Sequence, residues 1–572
     1  MSGTGPAARP GAAELERAFG DPWDPANPVG HAATVAADER DEVVAGGERL
    51  LDAYGLGAEF VPVGLGGRLD RLDRLVEVVR TVFRRDPALG LGYGAASFIA
   101  AVNVWSSGSD EQRRRLADLL LGGGRVATLY HELEHGNDLA GAAFAARPQA
   151  DGTLRLHGHK EVVSNAERAG AMVVFARTSD APGSRSHTQL LLEKRGLPAD
   201  RYRYRPRFAS VGMRGVRLGG IEFDDCPVGP ETVVGRLGQG VENAFRSFQI
   251  TRTALPAMAT PILDTGLRTT LRFVRSRRLY GGHAGDLPLV RRTVAEAFTD
   301  LLVCDAVATT GTRAVHLLPG ATALYSPAVK YLVSKRLMDA MDRLSVVLGA
   351  HFYLREGEFA IFQKQLRDLQ VVGFGHAARV VCLSTVLPQL PGAARRAARA
   401  GGTPALLSRI GAPLPPLDFG RLALAATGPD ELAAVPARMA EELAGSTDHR
   451  ALAGLAAVFA AEAERVRVEA SALAPRDLAV GGPADALEIA ARWTTVVAAA
   501  CCLTTWRDNR DGGDPFLADP LWAEAALTRL LGGTGRGDGR LPPERAEPLY
   551  RALLDRDDAG LGFDLARREL PG

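Results

Sequence analysis

Cysteine is scarce in this 572-residue chain: five residues, at 226, 304, 382, 501 and 502. The odd count and the lack of paired metal-ligand spacing exclude a disulfide framework and a cysteine-built metal centre. Cys501 and Cys502 sit in an apolar helical run and read as buried, reduced thiols. An excess of one charge is also missing. Lys+Arg 68 against Asp+Glu 67 leaves a net charge of +1, which excludes the electropositive footprint of a nucleic-acid or acidic-membrane binder. Long apolar runs are wanting too. The uncharged run 88–109 is interrupted by Gly, Ser and Asn, and the more apolar run 493–506 is too short for a bilayer. No transmembrane segment is expected, and the first sixteen residues hold no apolar stretch of the signal-peptide kind. The expected compartment is the cytoplasm. No repeat of fixed period appears.

What is present is ordinary globular composition, 46% hydrophobic and 24% charged, in a chain long enough for three or four domains. The hydrophobic period changes along it. Residues 1–30, with five prolines, read as an arm against the body. From Val35 to Gly122 apolar residues recur at helical spacing, for example Leu72, Leu75, Val76, Val79 and Phe83. Asp86-Pro87 and Ser109–Gln112 read as helix starts. Gly90, Gly92 and Gly94 lack the spacing and the preceding strand of a dinucleotide loop, so they read as small residues that let helices pack closely. Between 125 and 235 the period is two, with strands read at 126–130, 154–158, 171–178 and 188–193. From 240 to about 389 it is helical again: one helix through Phe273, then helices over 289–318, 328–348 and 366–387. A Pro/Gly/Arg-rich linker with a short helix follows at 391–418, and 431–572 is helical with loops at 475–482, 508–515 and 532–543. The expected domains are therefore 1–124, 125–235, 236–390 and 391–572.

Two motifs carry chemistry. His131-Glu132-Leu133-Glu134-His135 is a literal H-E-x-x-H, the zinc-protease pattern. That chemistry needs both imidazoles one turn apart on a helix, whereas this pentapeptide directly follows a strand and precedes Gly136-Asn137-Asp138. It reads as a loop, with no metal expected. The second is residues 212–252, where a Gly-Met-Arg-Gly turn leads into a strand ended by Asp224, Asp225 and Pro227. A Gly238-Gln239-Gly240 turn then opens a helix carrying Thr251 and Arg252. A β-domain hands over to a helical one here.

The order of these residues resembles the acyl-CoA dehydrogenase family. That family shows a G-x-R-G turn, a strand ending F-D-x-x-x-V-P, a G-x-x-G-x-G turn and a helix ending in Arg. The usual V-P is reversed here to Pro227-Val228. HELEHGND (131–138) is similar to the family's T-E-P-G-A-G-S-D flavin loop, with Glu132, Gly136 and Asp138 matching. GHKEVVSNA (158–166) is similar to G-x-K-x-W-I-T-N-A, with Val162 in place of the Trp. RSRRLYGG (275–282) resembles E-R-K-T-F-G, and VVLGAHFY (346–353) resembles Q-x-x-G-G-x-G-Y with its Gln and second Gly replaced.

The resemblance implies an α+β, mostly α fold: N-terminal helical domain, middle β-barrel domain, C-terminal four-helix bundle and, in 391–572, the extra helical domain of the long members. It implies FAD held by Tyr130, His131, Gly136, Asn137, Ser164, Arg277 and Tyr280, with Arg252 at the active site. It implies an acyl-CoA or acyl-carrier-protein thioester as substrate, a flavoprotein or oxygen as electron acceptor, and a homo-oligomer that shares FAD. One departure stands out. Counting eight on from Asp368 puts His376 where the family carries its catalytic Glu, and Thr251 holds the other position known to carry the base. The implied activity is α,β-dehydrogenation or a diverged variant. The alternatives are a flavin monooxygenase on the same fold, a catalytically degenerate homologue, and, as the outsider, a zinc hydrolase.

Overall fold

A computed structural model describes residues 10–181, 183–396 and 401–571. The first nine residues of the expected arm, and Arg399 of the expected linker, lie outside them. The N-terminal part holds α1 (Ala12–Phe19), α2 (His31–Asp38), α3 (Ala45–Tyr54), α4 (Leu72–Arg85), α5 (Pro87–Leu89), α6 (Ala96–Ser107) and α7 (Asp110–Leu121). Both helix starts read from sequence use their caps. Asp86 accepts from Ala88 N at 2.9 Å ahead of Pro87, and Ser109 with Gln112 forms a reciprocal capping box. Between α5 and α6, residues Gly90–Ala95 form a π-helical turn. A Cβ on Gly90 would lie 2.6 Å from the Phe83 ring, so the small side chain here is a packing requirement.

The strands are β1 (Val126–Leu129), β2 (Ala145–Pro148), β3 (Leu154–Ser164), β4 (Ala171–Arg177), β5 (His187–Glu193), β6 (Tyr202–Arg205), β7 (Leu218–Val228) and β8 (Val233–Val234). They pair in the order β6-β7-β3-β2-β4-β5-β8, with β1 parallel to β4. The expected barrel is thus one eight-stranded sheet whose end strands, β6 and β8, are not paired with each other. Alternation divides β4 between two cores. Met172, Val174 and Ala176 pack within the β-domain, while Ala171, Val173 and Phe175 join the helical core. A strand buried on both faces reads as a continuous apolar run. One expectation fails: Asp224 and Asp225 do not end β7. Asp225 takes φ +47 and the register against β3 shifts, so the strand bulges and runs on to Val228.

The remaining helices are α8 (Gly240–Ala259), α9 (Pro261–Ser276), α10 (Pro288–Leu317), α11 (Thr322–Leu348), α12 (Ala360–Phe374), α13 (Arg379–Val386), α14 (Leu390–Arg396), α15 (Val435–Glu442), α16 (Arg450–Ala472), α17 (Ala484–Asn509), α18 (Pro515–Ala518), α19 (Pro520–Leu531) and α20 (Pro543–Asp558). Two helices read as single are broken. The one through Phe273 is divided at Thr260, because Pro261 has no N–H to continue the ladder. The one over 366–387 is interrupted by Gly375–Ala378, with His376 at φ +66. α11 starts six residues earlier than expected and contains Pro327 in its first turns.

The N-terminal helices, the α8–α13 bundle and the C-terminal helices share one apolar core, from Leu15 to Leu565. The C-terminal part is pinned to the bundle by buried ion pairs, with Asp300 accepting from Arg336 at 2.7 Å and from Arg529 at 2.8 Å. Three helical stretches are long and apolar enough to cross a membrane by length and composition. Of the apolar windows of Pro87–Ser107 and Ala484–Asn509, 89% and 78% are buried inside the protein, and Ala360–Arg396 contains the Gly375–Ala378 break.

Candidate functional site

The break between α12 and α13 faces the end of β1 across α8. His376 Nε2 lies 2.6 Å from Thr251 Oγ1. Its ring meets Phe248 edge-on at 4.7 Å, and Phe248 also packs 6.0 Å from Tyr130 and lies 4.6 Å under the Arg252 guanidinium. Phe248 therefore joins the strand that precedes the flavin-like loop to both residues read as catalytic. A left-handed φ is costly for a residue with a Cβ. The Thr251 hydrogen bond, together with Lys330 Nζ donating to Gly375 O at 3.1 Å, holds His376 there. The imidazole pKa is driven well below its usual range, by burial first and then by Arg252, Lys330 and His131.

On the β side, Tyr130 Oη donates to Asn103 Oδ1 at 2.6 Å and accepts from Gln189 Nε2. Its hydroxyl is thus committed to the interior. His131 Nδ1 meets Gly136 O at 3.2 Å across the loop, and burial lowers its pKa, with Lys160 adding to the effect. Residues 133–137 form turns, not a helix. Glu132 is no free base: it takes Lys160 Nζ at 2.7 Å, Phe144 N at 3.1 Å and Ala143 N at 2.8 Å. Burial alone would raise its pKa, but Lys160 and the two amides bring it below the usual value. Lys160 also donates to Tyr130 O at 3.0 Å, and burial lowers its pKa to about 8. This pair fixes the loop. Gly136 has φ +53 with open space where a Cβ would stand. The side chains of Asn137 and Ser164, both half-buried, hydrogen-bond nothing among the described residues.

Arg277 and Tyr280 stand apart. They follow α9 on an exposed turn closed by the Leu279–Gly282 pairing, and Tyr280 is 93% exposed. Arg277 lies a full helix beyond Thr260, about 24 Å at 1.5 Å per residue. Of the residues read from sequence, the chain thus gathers Tyr130, Arg252 and His376 around Phe248, brings His131 within electrostatic reach of His376, and places Gly136, Asn137 and Ser164 on the adjoining loop and strand end. It does not bring Arg277 or Tyr280 to them.

Sequence reasoning missed Phe248, Lys330, Cys382 and Thr385. Lys330 left a signal. It shares the helical stripe of Ser334, Leu337, Met341, Leu344 and Leu348, all buried, and a lysine on an apolar stripe needs a reason. Phe248 left none, since an aromatic at helical spacing is ordinary core.

Residues 127–226 match the model of the acyl-CoA dehydrogenase middle domain, and residues 238–376 that of the acyl-CoA dehydrogenase C-terminal domain. The chain is 28% identical to a mitochondrial isovaleryl-CoA dehydrogenase of Oryza sativa over 221 residues, 38% of this chain and 53% of the relative. It is also 28% identical over 211 residues to an L-prolyl-(peptidyl-carrier protein) dehydrogenase of Pseudomonas fluorescens, covering 36% of this chain and 55% of that one. It thus spans about half the length of these relatives. The solved acyl-CoA dehydrogenase complexed with FAD from Bacillus anthracis superimposes with a TM-score of 0.70 at 16% identity. That likeness covers 95% of this chain and 89% of the other, so it extends through the C-terminal helices. The sheet, the bundle and both domain matches agree, and they show a chain similar to the acyl-CoA dehydrogenases over residues 127–226 and 238–376.

Proposed function

We propose that the protein is a flavin oxidoreductase that binds FAD non-covalently and acts on an acyl thioester. The observation that carries this is the convergence on Phe248 of the β1 end and the α12–α13 break, with His376 held against Thr251. The residues fit FAD: Asn137 and Ser164 offer hydrogen-bonding groups with no partner among the described residues, and Gly136 leaves open space beside them. Asn137, Ser164 and His131 would hold the ring system, and Arg277 would offer a forked cation to the diphosphate. Bound FAD supplies the hydride acceptor.

His376 is the proton acceptor in this reading. Thr251 has one proton; sent to Ser247 O, 3.3 Å away, it leaves Oγ1 to accept from His376 Nε2–H. Nδ1 then carries the lone pair, and it has no partner among the described residues. So depressed an imidazole is a weak base for an α-proton, so reduction by simple saturated acyl-CoA is slow, and His376→Glu speeds it.

Arg277 and Tyr280 are out of reach of their own chain's site, which supports a homo-oligomer in which a second copy supplies them. Val346 and Tyr353, 78% and 77% exposed, lie in the segment that resembles the family's shared FAD motif. The substrate is a CoA or carrier-protein thioester, the electrons pass to a flavoprotein or oxygen, and the setting is cytoplasmic. The absorbance spectrum of the purified protein, with and without acyl thioesters, is the test. A protein that stays colourless after incubation with FAD ends the reading. Flavin that reacts with oxygen but not with thioesters favours a monooxygenase, for which the missing carboxylate speaks.

A further inference from the structure

Two buried cations beside His376 have no counter-ion among the described residues. Arg252 is 4% exposed and Lys330 1% exposed. Arg252 Nη1 reaches Thr385 Oγ1 at 3.4 Å, its Nε is sealed from solvent without a partner, and its remaining charge rests on the Phe248 ring. Lys330 spends one of its three donors on Gly375 O. Neither takes part in an ion pair among the described residues.

Other buried cations in this protein are matched. Lys160 pairs with Glu132, Lys364 with Asp86 and Asp368, Arg80 with Asp305, and Arg313 with Asp73. Even Arg85 and Arg556, which hydrogen-bond only carbonyls, feel nearby carboxylates: Glu16 and Asp21 for the first, Asp564, Asp514 and Asp264 for the second. Among the described residues, the charged or titratable groups that act on Arg252, Lys330, His376 and Cys382 are one another and His131. Cys382 is not the missing anion. Burial raises its thiol pKa in spite of both cations, so it stays neutral. Burial lowers the Lys330 pKa to about 8, with Arg252 adding to the effect, which leaves it charged at neutral pH.

An uncompensated pair of buried charges is expensive. We propose that Arg252 and Lys330 form an anion pocket at the active site that takes a carboxylate carried by the acyl group of the substrate. The proposal rests on the acyl-thioester reading above. A planar carboxylate suits the guanidinium fork and a lysine point charge together. The phosphates of a CoA or carrier arm stand a pantetheine length from the reacting carbons and do not reach this place. The pocket also links binding to chemistry: an anion between the two cations offsets the charges that add to burial in weakening His376 as a base.

The test compares succinyl-N-acetylcysteamine with its neutral, equal-length counterpart butyryl-N-acetylcysteamine, by calorimetric titration of the full-length protein as purified. The expected result is at least tenfold tighter binding of the succinyl thioester, reduced to parity in Arg252→Met and Lys330→Met and partly kept in Lys330→Arg. Circular dichroism confirms that each variant is folded. Equal or weaker binding of the succinyl thioester, or a preference that survives in both Met variants, overturns the pocket. Free succinate gives the second arm. It raises the melting temperature of the wild type, with or without FAD, and not of the Met variants. Protein that never binds FAD yet keeps the succinate effect ends the oxidoreductase reading and leaves the pocket standing. Protein that binds FAD but shows no succinate effect does the reverse.

Discussion

At the scale of single residues, the loop after β1 and the bundle opposite it treat buried charge in opposite ways. Glu132 and Lys160 neutralise each other inside the β-domain while Glu132 also ties down two amides. Replacing Glu132 with Gln leaves Lys160 buried and alone, a change that costs about 3–5 kcal/mol when one partner of a buried pair is removed. Urea unfolding of Glu132→Gln should show that loss. An unchanged midpoint together with a vanished metal-dependent activity would instead make Glu132 the base of an H-E-x-x-H site.

Lys330 gives the opposite sign. Its folded pKa, about 8, lies below the 10.5 of an unperturbed lysine, so folding disfavours its charged form. Below pH 8 both states hold the proton and the full penalty stands. Between pH 8 and 10.5 the unfolded chain holds a proton that the folded one has released, so stability rises with pH across that window. The penalty is about 3 kcal/mol, and the Gly375 hydrogen bond offsets about 1 kcal/mol of it. Lys330→Met should therefore be about 2 kcal/mol more stable than wild type at pH 7, with the gain gone by pH 10.5. Denaturant titrations at both pH values read this directly, and a variant weaker than wild type at pH 7 contradicts it.

At the scale of elements, the site depends on how the Gly-Met-Arg turn seats on α12. Met213 N donates to Asp368 Oδ1 at 2.5 Å, and Asp368 and Asp86 share Lys364. A Cβ on Gly212 would stand 2.5 Å from Arg367 O and 2.7 Å from its carbonyl carbon. Helix backbone cannot give way, so Gly212→Ala should destabilise by about 1–3 kcal/mol. A thermal melt that matches wild type would mean the turn seats elsewhere.

The strands and most of the helices were legible because each face of an element meets one environment, so its period survives in the sequence. The break at Gly375–Ala378 was not legible in the periodicity, because Leu369 and Val372 before it and Cys382, Leu383 and Val386 after it continue an apolar pattern. β7 was misread for a related reason: Asp224 and Asp225 look like a turn, but an edge bulge tolerates them. His376 could be found by counting from Asp368, and Thr251 and Arg252 from the helix after the Gly238–Gly240 turn, but the rest of its surroundings could not. Phe248, Lys330 and Cys382 come from three helices whose mutual approach only the fold reveals.

At the scale of the whole molecule, one helical core runs from the first helix to the last, and the β-domain sits on it through one face of β1 and β4. That arrangement leaves Arg277 outside. It is exposed, it forms no ion pair among the described residues, and it stands a helix length from the α8–α9 junction. Arg277→Ala should therefore leave the unfolding free energy of the FAD-free protein within about 0.5 kcal/mol of wild type, as for surface changes generally. It should still weaken FAD retention about tenfold to a hundredfold, the equivalent of a charge-assisted contact of about 1.5–3 kcal/mol. The source of that contact is separable. If a second copy supplies it, wild-type protein should lose FAD on dilution in step with the loss of the oligomer, followed by light scattering and flavin fluorescence on one sample. The Arg277→Ala protein should bind FAD with one weak affinity at every concentration. FAD retention that is independent of wild-type concentration while the mass falls to a monomer would place the whole cofactor site within one chain.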